Sequence, residues 1–240
     1  MVIRCRARLE NDEQCPKKAR TGRLLCEQHG EAEYRLSPTS GDEPDFDPDR
    51  WTQAATVRRS HNCFSYAMNA MDYRRVEDCA KHGGNHCEVS YHQPGGTRKT
   101  NKRLRRESYA RCKSLIKLIQ QDVPTMRKIK YKQRCREGFS KIALVIDPMD
   151  DYHFYRQDPD GYWSHKPGSQ PVTRLDADGV LIIDPKTANR DYTTQGKSLN
   201  YTLFCGFFSV PRRMRILLEK GGGGETAGTT GKRFTRKKRL

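Results

Sequence analysis

Three residues of the chain have types and an order suited to acyl transfer: Cys63, His153 and His165. A thiol becomes a nucleophile once a neighbouring base takes its proton, and an imidazole is well matched to that task near neutral pH. A second imidazole bonded to the far nitrogen of the first selects its tautomer and holds its ring. The two histidines flank Asp158-Pro159-Asp160-Gly161, a strong turn sequence set between arms of alternating aromatic and polar residues. The stretch from Asp151 to Gly168 therefore reads as a β-hairpin. With Gly161 closing the turn in a left-handed bulge, Asp158 faces Tyr162 and Tyr155 faces His165. His153 and His165 then share one face as diagonal neighbours. Asp158 is a weaker candidate for the orienting role, because it sits in the turn rather than beside a ring.

The elements that must position these groups can be traced along the chain. Around the thiol, Phe64, Ala67, Met68 and Met71 fall at i, i+3, i+4 and i+7, the spacing of one buried helix face. Ser60 or Asn62 suits the N-cap. Cys63 then lies in the first turn, where free backbone N–H groups and the helix dipole favour a thiolate. Those N–H groups, joined by the Asn62 side chain, could serve an oxyanion. The plain alternative for Cys63 is a buried cysteine packed as a small hydrophobe. Tyr109, Cys112, Leu115, Ile116 and Ile119 form a second helical stripe that ends near Asp122-Val123-Pro124. Lys141–Asp147, Gly179–Asp184 and Tyr201–Val210 read as strands. Helices followed by an antiparallel sheet give an α+β fold over residues 51–219.

Residues 1–30 carry Cys5, Cys15, Cys26 and His29, spaced C-x9-C-x10-C-x2-H. Three thiolates and one imidazole suit a single structural, tetrahedral Zn2+, and a segment this short needs the metal's binding energy to fold. Residues 31–50 are acidic and interrupted by Pro38, Pro44 and Pro48, the composition of a solvated linker. Cys79, His82, His86 and Cys87 form a second cluster in a glycine-rich loop, where incidental ligand types outweigh a second metal. Residues 220–240 are glycine-rich and then basic, with Lys232, Arg233, Arg236, Lys237, Lys238 and Arg239 as the candidate contacts to nucleic acid or another polyanion. Such a tail is expected to be disordered.

Composition limits the classes further. The net charge of +17 favours polyanionic partners, although six basic residues of the tail supply over a third of it. No run of eighteen apolar residues is present, so no transmembrane helix is expected. The start of the chain lacks an apolar signal region, and nine cysteines, an odd count, suit reduced thiols better than a disulfide framework. The expected location is the interior of a host cell, in cytoplasm or nucleus, or a virion.

The order of thiol, apolar strand and paired histidines resembles the papain-like cysteine peptidase and amidase superfamily, most closely its NlpC-type and CHAP-type hydrolases. Asn62-Cys63-x-x-Tyr66-Ala67 is of a kind found around such nucleophiles, and the interval between His153 and His165 matches that of NlpC-type domains. The resemblance implies a papain-like fold, Cys63 as nucleophile, His153 as base, His165 as orienter, and a peptide or amide substrate cleaved through a thioester. The N-terminal ligand set is similar to the Cys3His zinc motif of the WRC family, which implies binding to nucleic acid or protein. The carboxyl tail looks like those of proteins from large DNA viruses. Acyl transfer with the same thiol is one competing reading. The other is a non-catalytic zinc-containing nucleic-acid-binding or virion structural protein on a degenerate hydrolase fold.

Overall fold

A computed structural model describes residues 4–212, apart from residues 8, 10, 12, 22, 31–35, 85–86, 88–90, 96–110 and 150. The basic tail with Lys232, Arg233, Arg236, Lys237, Lys238 and Arg239, most of the basic stretch before Cys112, and His86 lie outside the described residues. Five α-helices are described: α1 (Pro48–Thr52), α2 (Ala55–Ser60), α3 (Cys63–Ala67), α4 (Tyr73–Lys81) and α5 (Cys112–Asp122). The strands are β1 (Arg127–Ile129), β2 (Phe139–Asp147), β3 (Asp151–Gln157), β4 (Trp163–Ser164) and β5 (Leu203–Pro211). They form one antiparallel sheet in the order β1-β5-β2-β3-β4. Helices plus an antiparallel sheet match the α+β expectation.

Strand alternation divides the core in two. On one face Ile142, Leu144, Ile146, Tyr152, Phe154 and Phe208 pack against Cys63, Phe64 and Met68 around α3 and against Leu115 and Ile119 of α5. On the other, Ala143, Val145, Tyr155, Trp163 and Phe207 are covered by Tyr131, Ile182 and Tyr201 from the connections. Because both faces of β2 are covered, Ile142 to Ile146 is apolar without alternation. The helix after Cys63 is shorter than its periodicity suggests. It stops at Ala67, and Asn69 takes a left-handed φ of 50°, a conformation asparagine tolerates better than most residues.

Three regions differ from their sequence-based expectation. Residues 36–50 lie against the sheet instead of forming a free tether. Gln157 donates to the Ser37 carbonyl at 2.6 Å, Arg156 to the Asp45 carbonyl at 2.8 Å, and the buried Lys141 ammonium to Ser37 Oγ at 2.5 Å. The proline-broken stretch has no apolar period, yet its backbone carbonyls satisfy cations that the sheet has buried. The expected strand at 179–184 is a loop with one isolated bridge, Leu175 to Leu181. Four cysteines expected as thiols are paired, Cys79 with Cys87 and Cys112 with Cys205. The first pair removes two of the ligands considered for a second metal.

The Cys112–Cys205 bond spans 93 positions and ties α5 to the sheet. Closing a loop of that length should contribute about 2–5 kcal/mol. Replacing both cysteines with alanine should lower the urea midpoint accordingly, and an unchanged midpoint would mean the bond does not form in solution.

Candidate functional site

The hairpin forms in the register its turn dictates. Asp158 N–H donates to the Tyr162 carbonyl at 2.9 Å, Gly161 has φ of 86°, and Arg156 and Gln157 face Ser164 and Trp163. Continuing that register sets Tyr155 opposite His165, and their rings lie 4.9 Å apart. His153 and His165 meet as expected: Nε2 of His153 is 2.8 Å from Nδ1 of His165. Nε2 of His165 lies 2.9 Å from the Leu175 carbonyl.

This bonding order assigns the protons. A carbonyl can only accept, so Nε2 of His165 carries the hydrogen and donates it to Leu175. Nδ1 of neutral His165 is then an acceptor, so His153 must donate from Nε2. The lone pair of His153 is left on Nδ1. Both rings are neutral near pH 7, because burial lowers His165 to about 4 and His153 well below its usual value, with His165 adding to the latter shift.

Cys63 is the first residue of α3, as expected, and Asn62 is its N-cap: Asn62 Oδ1 accepts from Ser65 N–H at 3.1 Å. The Asn62 amide nitrogen donates one of its two hydrogens to the His92 carbonyl at 3.1 Å. The Cys63 sulfur contacts the Tyr152 carbonyl at 3.9 Å, one residue from His153. No hydrogen bond joins the sulfur to either imidazole. Cys63 packs with Tyr152 and Phe154, whereas His153 points to the opposite face, where its ring meets Tyr155 and Tyr201. Burial pushes the thiol well above its usual range, and nearby Asp151 adds to the shift. The expected depressed thiol is therefore not what this conformation provides: desolvation outweighs the backbone N–H groups of the first helical turn.

Several residues near the site gave no signal in the sequence. Lys166 buries its ammonium among the carbonyls of Arg58, His61 and Gly168 at 2.6, 2.7 and 2.5 Å, and burial lowers it to about 7. It follows His165 and grips the backbone just before Asn62, linking the hairpin to the segment that carries the thiol. Asp158, the weaker orienting candidate, accepts from Ser164 and Arg174 at 2.7 and 2.9 Å and is occupied within the turn. His92 stacks on Phe64, and Tyr152 bonds Gln93 through its hydroxyl. The His92–Gln93 segment thus flanks the thiol, which is 6% exposed.

The second site is the N-terminal cluster. The ligand atoms of Cys5, Cys15, Cys26 and His29 all lie within 4.8 Å of one another, so these residues can hold one metal ion. Sγ of Cys26 is 3.3 Å from Nδ1 of His29, Sγ of Cys5 is 3.7 Å from it, and the sulfurs of Cys15 and Cys26 are 4.0 Å apart. Such spacings suit the corners of a tetrahedron around one ion. Four protein donors would leave no open position on a four-coordinate ion. The module is not isolated: its ligands pack with Ile183 of the body.

Two measurements check these sites. One equivalent of metal per chain should be found by elemental analysis and should be lost in Cys15→Ser. The second concerns pH. Burial also holds His61 and His92 at about 4, so with His165 and His153 four imidazoles resist protonation in the fold. As pH falls through about 6.5 the unfolded chain takes up protons that the folded chain refuses, until the folded values are reached. Stability should drop by on the order of 1 kcal/mol per histidine between about pH 7.5 and 5.5. A urea midpoint that stays level or rises over that range would contradict neutral burial.

No family model matches the chain, and no solved structure matches it. A curated relative does: the chain is 31% identical over 175 residues to insoluble matrix shell protein 1 of Ruditapes philippinarum, a match covering 71% of this chain and 93% of that protein. At that identity and coverage, the chain belongs to the same family as insoluble matrix shell protein 1.

Proposed function

We propose that this protein is a cysteine hydrolase of papain-like type, with Cys63 as nucleophile, His153 as general base and His165 as the residue that orients it. The observation that carries the reading is the proton order in the imidazole pair. With Nε2 of His153 donating to His165 and Nε2 of His165 donating to Leu175, the free lone pair of His153 is on Nδ1. That is the arrangement a base needs when its far nitrogen is held by an orienter. The sulfur rests against the Tyr152 carbonyl on the face of β3 opposite the His153 ring, so the reading requires a rearrangement at α3 that carries the thiol past the strand to the imidazole.

In this scheme Nδ1 of His153 takes the thiol proton, and the sulfur attacks an amide or ester carbonyl. The imidazolium then protonates the leaving nitrogen or oxygen as the tetrahedral adduct collapses to a thioester. Water, deprotonated by His153, releases the acid and restores the thiol. Backbone N–H groups at the start of α3, with the second hydrogen of the Asn62 amide, are the donors for the developing oxyanion. Substrate reaches the sulfur when the His92–Gln93 segment is displaced. We assign zinc to the N-terminal cluster on its three thiols and one imidazole. The two disulfides favour an oxidising setting over the reducing cell interior expected from the cysteine count.

A second reading has its own observations. The buried, high-pKa thiol and a relative named as an insoluble matrix protein both suit a non-catalytic structural component. Reaction with p-nitrophenyl acetate or iodoacetamide separates the two. The hydrolase reading expects an adduct at Cys63 in preference to Cys135, the other free buried thiol outside the N-terminal cluster among the described residues, and a rate reduced by roughly a hundredfold in His153→Ala. Equal labelling of Cys63 and Cys135, unaffected by His153→Ala, would leave the structural reading standing.

A further inference from the structure

We propose that the N-terminal metal module braces the imidazole pair: Arg6, through Asp176, fixes the Leu175 carbonyl that sets the tautomers of His165 and His153. Arg6 and Asp176 are positioning residues in this scheme. Its catalytic meaning rests on the hydrolase reading, but the bonding on which it is built does not.

Arg6 follows the metal-ligating Cys5, and its backbone is held inside the module, where Arg6 N–H donates to the Leu24 carbonyl at 2.9 Å. Its side chain leaves the module. One guanidinium nitrogen donates to Asp176 at 2.6 Å and Asp178 at 3.0 Å, the other to the Thr187 carbonyl at 2.6 Å. Thr187 returns a bond from its hydroxyl to the Arg6 carbonyl at 2.9 Å. The joint is therefore reciprocal, with two fixed backbones on either side.

Asp176 is the keystone of the loop it occupies. Its side chain is 1% exposed, and it accepts the N–H groups of Asp178 and Val180 on one oxygen and of Asn189 on the other. A carboxylate so buried requires a counter-charge, and Arg6 is the ion-pair partner it has. Asp176 directly follows Leu175, whose carbonyl takes the His165 proton. The side chain of Leu175 is 46% exposed, so its own burial does not anchor that carbonyl. It is anchored by Thr173, which exchanges backbone bonds with His165 at 2.8 and 2.9 Å, by the Leu175–Leu181 bridge, and by the Asp176 side chain, which accepts the Val180 N–H and so holds the loop that forms that bridge.

Removing the Arg6 charge leaves a buried carboxylate without its counter-charge, and Asp176 responds by taking up a proton or turning toward water, either of which weakens the N–H bonds it accepts and loosens the loop. Leu175 moves with it. His165 then loses the acceptor that kept its hydrogen on Nε2, and either tautomer becomes available. His153 follows, because its donor nitrogen was dictated by His165. Metal bound at Cys5, Cys15, Cys26 and His29 acts on the same chain of bonds by fixing the loop that carries Arg6.

The test uses the full chain with nitrogen-15-labelled histidine and long-range proton–nitrogen NMR of the rings. The wild-type, metal-loaded protein should show both His153 and His165 protonated on Nε2. Arg6→Met, and wild type stripped by a chelator, should show mixed tautomers for both rings, and Arg6→Lys should recover part of the wild-type pattern. Iodoacetamide labelling of Cys63 should slow by on the order of tenfold in Arg6→Met. If Arg6→Met keeps its sheet amide shifts and its wild-type ring pattern, the brace is overturned. Should that variant not fold, Asp176→Asn replaces it, and an unaltered ring pattern there is equally decisive. Failure of the hydrolase reading looks different: the rings respond to Arg6 while Cys63 labels no faster than Cys135.

Discussion

The alternation of side chains along β3 is the constraint on which the rest of the molecule depends. Tyr152 and Phe154 enter the face packed by α3, while His153 and Tyr155 enter the other. The thiol belongs to the first set of contacts and the imidazoles to the second. Every feature that brings them near one another works at the strand itself, where the sulfur meets the Tyr152 carbonyl. Shifting β3 by one residue would exchange the two sets and place both Tyr152 and Phe154 among the connections, so the register is held by both cores at once.

Around that strand the molecule buries an unusual number of charges, each answered by backbone carbonyls or a single partner. Lys141 ends on Ser37 and the Tyr131 carbonyl, Lys166 on three carbonyls, Arg156 over the ring of Tyr66, and Arg6 on Asp176. Charges of this kind add little net stability, because desolvation offsets the attraction, but a wrong arrangement leaves one of them unpaired and is strongly disfavoured. They therefore act on which conformation is adopted more than on how stable it is. The irregular segments 36–50 and 166–200 depend on them in place of regular hydrogen-bonded elements.

Much of the site was legible in the sequence because its signals are local. Asp158-Pro159-Asp160-Gly161 and a period of two suffice to place His165 beside His153, and three cysteines with His29 point by type and spacing to a group able to hold one metal ion. What was not legible depends on partners far away in the chain. Ser37 meets Tyr131 and Gln157 across 94 and 120 positions, so the strap looked like a linker. The pairing of Cys112 with Cys205 cannot be read from a count of thiols. Nor does any local pattern reveal that Asn62 donates to the His92 carbonyl, or that burial outweighs the first helical turn at the Cys63 thiol.

The Cys112–Cys205 bond closes a covalent ring around the connected strands. Both imidazoles and the Leu175 carbonyl lie inside that ring, whereas Cys63, Asn62 and Arg6 lie on the chain outside it. A single backbone cut anywhere within the ring leaves the histidines joined to the rest of the protein by two routes of which one survives. A cut between residues 63 and 79, or between 87 and 112, leaves the thiol and Arg6 with no covalent link to the bases, whereas a cut between 79 and 87 is bridged by the Cys79–Cys87 bond. The molecule is thus topologically two pieces, a closed loop carrying the imidazoles and an open arm carrying the thiol and Arg6, and the candidate site exists only at the seam between them.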